Sequence, residues 1–205
     1  MINTSLRQAI RPTRPSGAAV VMAITLAALW IVLGIDAALG HPLLRLGIKP
    51  REAGGLPGIV ASPLLHSDVG QLSALSVPLA VLGWLMLTSG LRYLALVTAA
   101  VALASGLVDW LAGPSHQVLL GATGVVLGWL GYLLARAWFG RKVLWMAIAV
   151  AVAVVFSGLF DSLMPRFDNH VFWGGNLAAF VVGVLIAAAL HRRRRRAGPG
   201  PILNR

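Results

Sequence analysis

The chain has 205 residues, of which 58% are hydrophobic and only 11% are charged. Soluble globular domains carry about 25% charged residues, so this composition excludes an ordinary soluble domain. The formal net charge is +11 and cysteine is absent. Disulfides, zinc–thiolate sites and cysteine catalysis are therefore excluded, and we predict neither a cofactor nor a metal site.

The apolar residues fall into six blocks, each about as long as the 20 residues that a helix needs to cross a bilayer. In chain order the predicted spans are Gly17–Ala38, Leu72–Gly90, Tyr93–Gly113, Val118–Ala135, Val143–Phe160 and Val171–Leu190. The predicted fold class is therefore all-α, a polytopic membrane protein. We divide the chain into a basic N-terminal tail (1–16), a six-helix membrane domain (17–190) and an arginine-rich tail (191–205).

The positions of lysine and arginine predict the orientation of these spans in the membrane. With both termini cytoplasmic, thirteen of these residues lie on inner segments and only Arg45, Lys49, Arg51 and Arg166 on outer ones. This bias predicts a multi-pass protein of the cell membrane with cytoplasmic N- and C-termini. We expect the Arg192–Arg196 run to meet the anionic inner leaflet of the bilayer and not a nucleic acid.

The longest connection is the outer loop between the first two spans, residues 39–65, which is rich in proline and glycine. A loop of this length in a compact protein is usually functional or disordered. Its many apolar residues argue against disorder. We therefore expect the loop to fold against the membrane face, with Arg45, Lys49 and Arg51 reaching toward lipid headgroups.

Small residues are spaced four apart on two of the spans. Gly124 and Gly128 form such a pair on the fourth span, and Ala179 and Gly183 form one on the sixth. Small residues at this spacing let two membrane helices approach closely, where van der Waals contact drives association. The fourth and sixth helices are therefore expected to touch.

Three sequence blocks together carry a family resemblance. Gly121-Ala122-Thr123-Gly124 opens the fourth span, and Trp173-Gly174-Gly175-Asn176 opens the sixth. His66 precedes the second span, followed at short intervals by Gln71 and Leu75. The order and spacing of these blocks, from about residue 39 to residue 190, resemble the rhomboid intramembrane serine proteases. The resemblance implies a rhomboid six-helix bundle with its site on spans two, four and six.

The resemblance also implies what has changed at that site. In the family, the position of Thr123 is a serine nucleophile and that of Asn176 a histidine base. The positions of Gln71 and Leu75 are the histidine and asparagine that help donate to the oxyanion. Only the first family histidine is kept, as His66. We therefore predict a catalytically inactive member which, like inactive rhomboid relatives, binds transmembrane segments of client proteins.

Two alternatives remain open. The first is an active intramembrane endopeptidase, because threonine can act as a nucleophile when a base activates it. Thr123 would then attack the peptide bond, and the candidates for a replacement base are His170, Asp161 and Asp168. The second is a small transporter, since carboxylates inside membrane spans often mark ion paths. Its candidates are Asp36 and Asp109, although both lie near the outer ends of their spans.

Each site residue also has a purely structural interpretation. Thr123 can bond back to the carbonyl four residues earlier, and Asn176 can bond to a neighbouring helix. A direct Thr123–Asn176 hydrogen bond would satisfy both side chains, and we hypothesise that it forms. Gln71 suits an interfacial position. His66, with Asp68 two residues on, is expected to fix the loop.

Overall fold

The computed structural model describes residues 14–140, 143–158, 163 and 172–196. Within these ranges the chain forms long helices, short helical turns and one isolated antiparallel β-bridge. The same ranges contain no β-strand longer than that bridge. The long helices are α1 (Pro15–Ala38), α2 (Val69–Leu87), α3 (Leu91–Ala112), α4 (Thr123–Gly140), α5 (Val143–Val155) and α6 (Gly174–Arg196). The all-α prediction is confirmed.

Four of the helices, α1, α2, α3 and α6, are by themselves long and apolar enough to cross a membrane. The helices at the fourth and fifth predicted spans do not meet that standard. The fourth, α4, lies in the middle of the bundle, where Val126 and Leu130 are 0% exposed. Protein surrounds these side chains, so α4 does not need the fully apolar surface of a lipid-facing helix.

The described part of the fifth predicted span is short. Helix α5 has 13 residues, so it rises about 20 Å, which is less than the roughly 30 Å of a bilayer core. The last two residues of the predicted span, 159 and 160, lie outside the described residues.

All six helices differ from the predicted spans by a few residues, and the fourth differs most, since α4 is Thr123–Gly140 and not Val118–Ala135. The residues before Thr123 are not helical there, because Leu119 pairs with Ile48 of the outer loop.

Two further boundaries have identifiable reasons. Helix α2 begins at Val69 and not at Leu72, because the Asp68 carboxylate accepts the Gln71 N–H at 2.8 Å and caps the helix. Helix α6 continues past Leu190 to Arg196. Arginine is a good helix former, and its charge is favourable at the C-terminal end of a helix.

The helices pack around α4, which contacts α2, α3, α5 and α6 and meets α6 most extensively. At one end of the bundle, the Trp84 indole donates to the Pro15 carbonyl at 3.3 Å. At the same end the Phe139 and His191 rings stack with their centroids 5.4 Å apart. We call this the arginine end, because it carries Arg14, Arg92, Arg136, Arg192 and Arg193.

The opposite end, called the site end, carries the outer loop and the starts of α4 and α6. Ile48 in the loop exchanges two backbone hydrogen bonds of 2.9 Å with Leu119. Further along, the Arg51 N–H donates to the Trp110 carbonyl at 2.8 Å. Ile48 is 1% exposed. The loop is therefore folded onto the end of α3 and onto the segment that leads into α4.

Arg51 does not reach freely toward headgroups as expected from the sequence. Its guanidinium donates to the Leu111 carbonyl at 3.3 Å and also bonds the Ser115 hydroxyl. A cation at the C-terminal end of α3 is favoured by the helix dipole, so Arg51 fastens the loop to that helix. The expectation for Arg45, which is exposed, stays a prediction.

Candidate functional site

The nucleophile and base positions lie at the N-termini of adjacent helices. Thr123 is the first residue of α4 and Asn176 the third of α6, and both are half-buried. A β-carbon placed on Gly124 would lie 3.7 Å from the Asn176 Oδ1. The structure therefore brings the two positions together at the site end. The hypothesised hydrogen bond between the Thr123 and Asn176 side chains stays a prediction.

Below these residues, α4 and α6 approach backbone to backbone. A β-carbon on Gly183 would overlap the Gly128 carbonyl oxygen. One on Gly128 itself would lie 2.6 Å from the Val101 side chain of α3. Ala179, one turn before Gly183, is 0% exposed. At this separation any larger side chain would push the two helices apart.

Gln71 has a defined structural role beside the site. Its Oε1 accepts hydrogen bonds from the Ser67 N–H at 2.8 Å and the Ser67 hydroxyl at 3.2 Å. With Asp68, it therefore caps the start of α2, in a variant of the capping box. A β-carbon on Gly121 would lie 2.8 Å from the Gln71 Nε2. The cap thus holds the amide nitrogen over the backbone two residues before Thr123.

Glycine is required at position 121. Its φ of +111° is in the region that side chains disfavour, and its N–H donates to the Ser62 carbonyl at 2.9 Å. Leu75, at the second oxyanion position, is 5% exposed and belongs to the apolar core. Of the two oxyanion positions, one therefore presents an amide and the other a hydrocarbon.

His66 is buried without a hydrogen-bonding partner. The residue is 2% exposed, and neither ring nitrogen has a partner within the part of the chain that the structure describes. Burial lowers the pKa of His66, and the nearby Leu64 carbonyl, outside hydrogen-bonding geometry, opposes this effect. Burial therefore favours the neutral form of the ring.

The described hydrogen bonds do not join His66 to Asp68. The Asp68 carboxylate instead accepts from the Gln71 N–H and from the Ser67 hydroxyl at 2.7 Å. The first of these bonds contributes most to lowering the pKa of Asp68. Asp68 thus fixes the loop through the helix cap.

Two polar residues of α3 lie at this site: Ser105, which sequence reasoning missed, and Asp109, which it considered only as a transport carboxylate. The Ser105 hydroxyl would lie 3.1 Å from a β-carbon on Gly124. One turn later, the Asp109 carboxylate faces the N–H of Gly175, where a β-carbon would overlap it. The signal available in the sequence was the spacing of four between Ser105 and Asp109, which puts both on one helix face.

Asp36, the other carboxylate considered for transport, serves the fold locally. It is 2% exposed, its Oδ1 accepts the Leu43 N–H at 2.7 Å, and its Oδ2 lies 3.0 Å from the His41 Nδ1. These contacts fasten the turn that follows α1. Nothing in them favours an ion path.

The candidate replacement bases Asp161, Asp168 and His170 lie outside the described residues. In the sequence they fall in the connection between the last two predicted spans. They stay predictions.

Comparison with known proteins adds an independent finding. The model of the family described as Rhomboid domain matches residues 54–193. The chain is 36% identical to uncharacterized proteins of Mycobacterium bovis and Mycobacterium tuberculosis over 83% of its length and 74% of theirs. It is 32% identical to one of Mycobacterium leprae, over 83% of its length and 70% of that protein. The family match covers more than half of the chain, and this chain therefore belongs to the rhomboid family.

Proposed function

We propose that this rhomboid-family membrane protein is catalytically inactive and binds transmembrane segments of client proteins. The observation that carries the proposal is the residue pair at the base and donor positions. Asn176, adjacent to the start of α4, is an amide, and Leu75 is buried hydrocarbon. Close contacts at glycine still hold α4 and α6 together.

The chemical cost of this pair is large. An amide does not accept a proton near neutral pH, so general-base assistance worth about 10² to 10⁴ in rate is lost. A missing oxyanion donor costs about 10² to 10³. The two losses need not multiply, because groups of one catalytic site act as a unit. Either loss alone would remove most of the activity of a serine-type protease.

The polar residues at the site end are suited to binding a client helix. Thr123, Ser105 and Asn176 place hydroxyl and amide groups at the site end of an otherwise apolar bundle. Polar groups of a membrane helix are satisfied poorly by lipid and are stabilised by hydrogen bonds to a neighbouring helix. A client helix with a polar side chain near its outer end would therefore be favoured at this site over a uniformly apolar one.

Site-directed crosslinking tests this binding, because the chain contains no cysteine. Thr123→Cys supplies a single thiol at the site in the full-length protein in lipid nanodiscs. The matched control is Gly34→Cys on α1, where the added side chain meets no protein atom. The probe is a synthetic transmembrane peptide with one cysteine and one asparagine near its outer end.

We expect disulfide formation with Thr123→Cys to exceed that with Gly34→Cys by at least about fivefold. An all-leucine peptide should give a smaller difference. Equal crosslinking at both positions for both peptides would indicate random collision in the bilayer and would contradict client binding at this site.

A second candidate function is an active endopeptidase that uses Thr123. The observation in its favour is the Gln71 amide nitrogen, a donor that is held beside Gly121, two residues before Thr123. This function requires cleavage of a transmembrane substrate that Thr123→Ala abolishes.

We also propose that the arginine end faces the cytoplasm, from the thirteen-to-four bias of lysine and arginine. A cysteine introduced at exposed Arg193 should then react with a membrane-impermeant maleimide only after cells are opened. One introduced at exposed Arg45 should react in intact cells. The reverse pattern would contradict this orientation.

A further inference from the structure

The charges of this protein are segregated between its two ends. Every carboxylate side chain of the sequence belongs to the site end or to the connection between α5 and α6. These residues are Asp36, Glu52, Asp68, Asp109, Asp161 and Asp168. The arginine end therefore has five arginines whose side chains the structure describes, and no carboxylate side chain from its own helices neutralises them.

Contacts between helices gather these arginines. The Arg136 guanidinium bonds the Ser89 hydroxyl, which joins the end of α4 to the connection between α2 and α3. The Phe139–His191 ring stack, with an angle of 22° between the ring planes, joins α4 to α6 just before Arg192. Four of the arginines, Arg14, Arg92, Arg192 and Arg193, are exposed.

The start of α3 lies in the same group and lacks an anion of its own. Gly90, with φ +109°, precedes the helix, provides no side-chain cap, and no acidic residue follows in the first turn. The free N–H groups and the dipole at a helix start attract negative charge. Arg92, the second residue of α3, adds a full positive charge there.

We propose that the arginine end binds the headgroups of anionic phospholipids. The phosphate lies against the start of α3 and Arg92, and Arg192 and Arg193 extend the positive surface along α6. A lipid fits better than a dissolved phosphate because of the tryptophans at this level. Trp138 is 71% exposed and Trp84 is 40% exposed, as is typical of side chains at headgroup depth.

The test measures lipid binding to the full-length protein by native mass spectrometry from detergent micelles. The probes are phosphatidylglycerol, phosphatidylcholine and sodium phosphate. One variant is Arg192→Gln/Arg193→Gln. The matched control is Arg45→Gln/Lys49→Gln, which removes the same charge at the site end. Thermal unfolding of each protein in phosphatidylcholine shows whether the substitutions leave the fold intact.

Each arginine near a membrane surface contributes about fivefold to the binding of anionic lipid. We expect wild type to prefer phosphatidylglycerol over phosphatidylcholine, and the double variant to bind it about 30-fold more weakly. Arg92→Gln should weaken binding about fivefold, and the site-end control should bind as wild type does.

Three results would overturn the proposal. One is equal binding of the two lipids, and another is an equal loss in the site-end control. The third is full competition by millimolar sodium phosphate at constant ionic strength, which would assign the site to a dissolved anion. If the double variant unfolds early in phosphatidylcholine, Arg92→Gln decides the outcome by itself.

Discussion

Helices α4 and α6 meet in two regions that have changed in different ways. At mid-length Gly128 and Gly183 leave no space for a side chain, so the contact requires glycine. At the site end the same helices present Thr123 and Asn176, the residues that the resemblance assigns to the family's nucleophile and base positions. The helix packing at the site end is compatible with functional side chains other than a serine and a histidine. The helix packing of a catalytic fold is thus constrained by how closely the backbones approach each other, whereas its chemistry depends on a few side chains.

The largest expected effect comes from restoring the family residues. Gln71→His, Leu75→Asn, Thr123→Ser and Asn176→His together return a base, a nucleophile and two donors. Recovering the base and one donor should raise the cleavage rate of a transmembrane substrate at least about 10²-fold above wild type. The measurement is the initial rate in nanodiscs on a fluorescent substrate.

The same combined variant with alanine at position 123 is the control, and it should return to the wild-type rate. A restored variant that remains folded by circular dichroism yet stays as inactive as wild type would show that the site end has lost more than four side chains.

The next effect tests the mid-length contact. Gly183→Ala should lower the free energy of unfolding by about 1 to 3 kcal/mol, because its β-carbon overlaps the Gly128 carbonyl and the helices must separate. Gly34→Ala adds the same methyl group to α1 where nothing lies within 4 Å. That control should be neutral or slightly stabilising. Equal losses of stability in the two variants, measured by thermal unfolding, would remove the close contact as their cause.

A third test concerns the neighbours of Asn176. Gly175→Ala should destabilise the protein by about 1 kcal/mol, since the methyl group displaces the Asp109 carboxylate from the start of α6. Asp109→Ala removes the carboxylate from that space. Gly175→Ala should therefore lower the free energy of unfolding by less in a protein that already carries Asp109→Ala. A double-mutant cycle of unfolding free energies measures this coupling. Strict additivity would mean that the two residues do not meet.

The smallest effect is a pH dependence from His66. Burial lowers the pKa of this ring below its ordinary value of 6.5, so the unfolded chain binds the proton more readily. His66 therefore favours the folded state fully above about pH 6.5, and its contribution falls as the pH drops through the folded pKa. Because of His66, the free energy of unfolding of the wild type, measured by thermal unfolding, should fall more from about pH 8 to about pH 5 than that of a variant without the imidazole.

His66→Phe should reduce that slope, whereas His116→Gln, at an exposed position, should leave it unchanged. An identical slope in wild type and His66→Phe would assign the pH dependence to other groups.

Much of the fold could be predicted because bilayer-length apolar blocks fix the number and order of helices. Helix α4 deviates because helices, and not lipid, surround it, which relaxes the requirement for apolar residues. Asp68 and Gln71 could have been recognised as a capping pair from their spacing alone. Arg51 could not be assigned, because its partners at Leu111 and Ser115 are about sixty residues distant in the chain.

The sequence indicates only some residues of the candidate site, for a similar reason. Thr123 and Asn176 stand beside glycines in their sequence blocks. The sequence alone therefore indicates where they lie. Ser105 and Asp109 occupy an apolar span whose rotation about its own axis the sequence does not determine. Their place at the site follows from how α3 packs against α4 and α6.

The most direct test of lost catalysis is cleavage by the purified wild-type protein in lipid. The substrate is a transmembrane segment with a destabilised helix, and the Thr123→Ala variant and a catalytically active rhomboid protease are assayed beside it. We predict cleavage by the active protease and none by wild type or Thr123→Ala. Cleavage by wild type that disappears in Thr123→Ala would contradict this and show a threonine-dependent intramembrane protease.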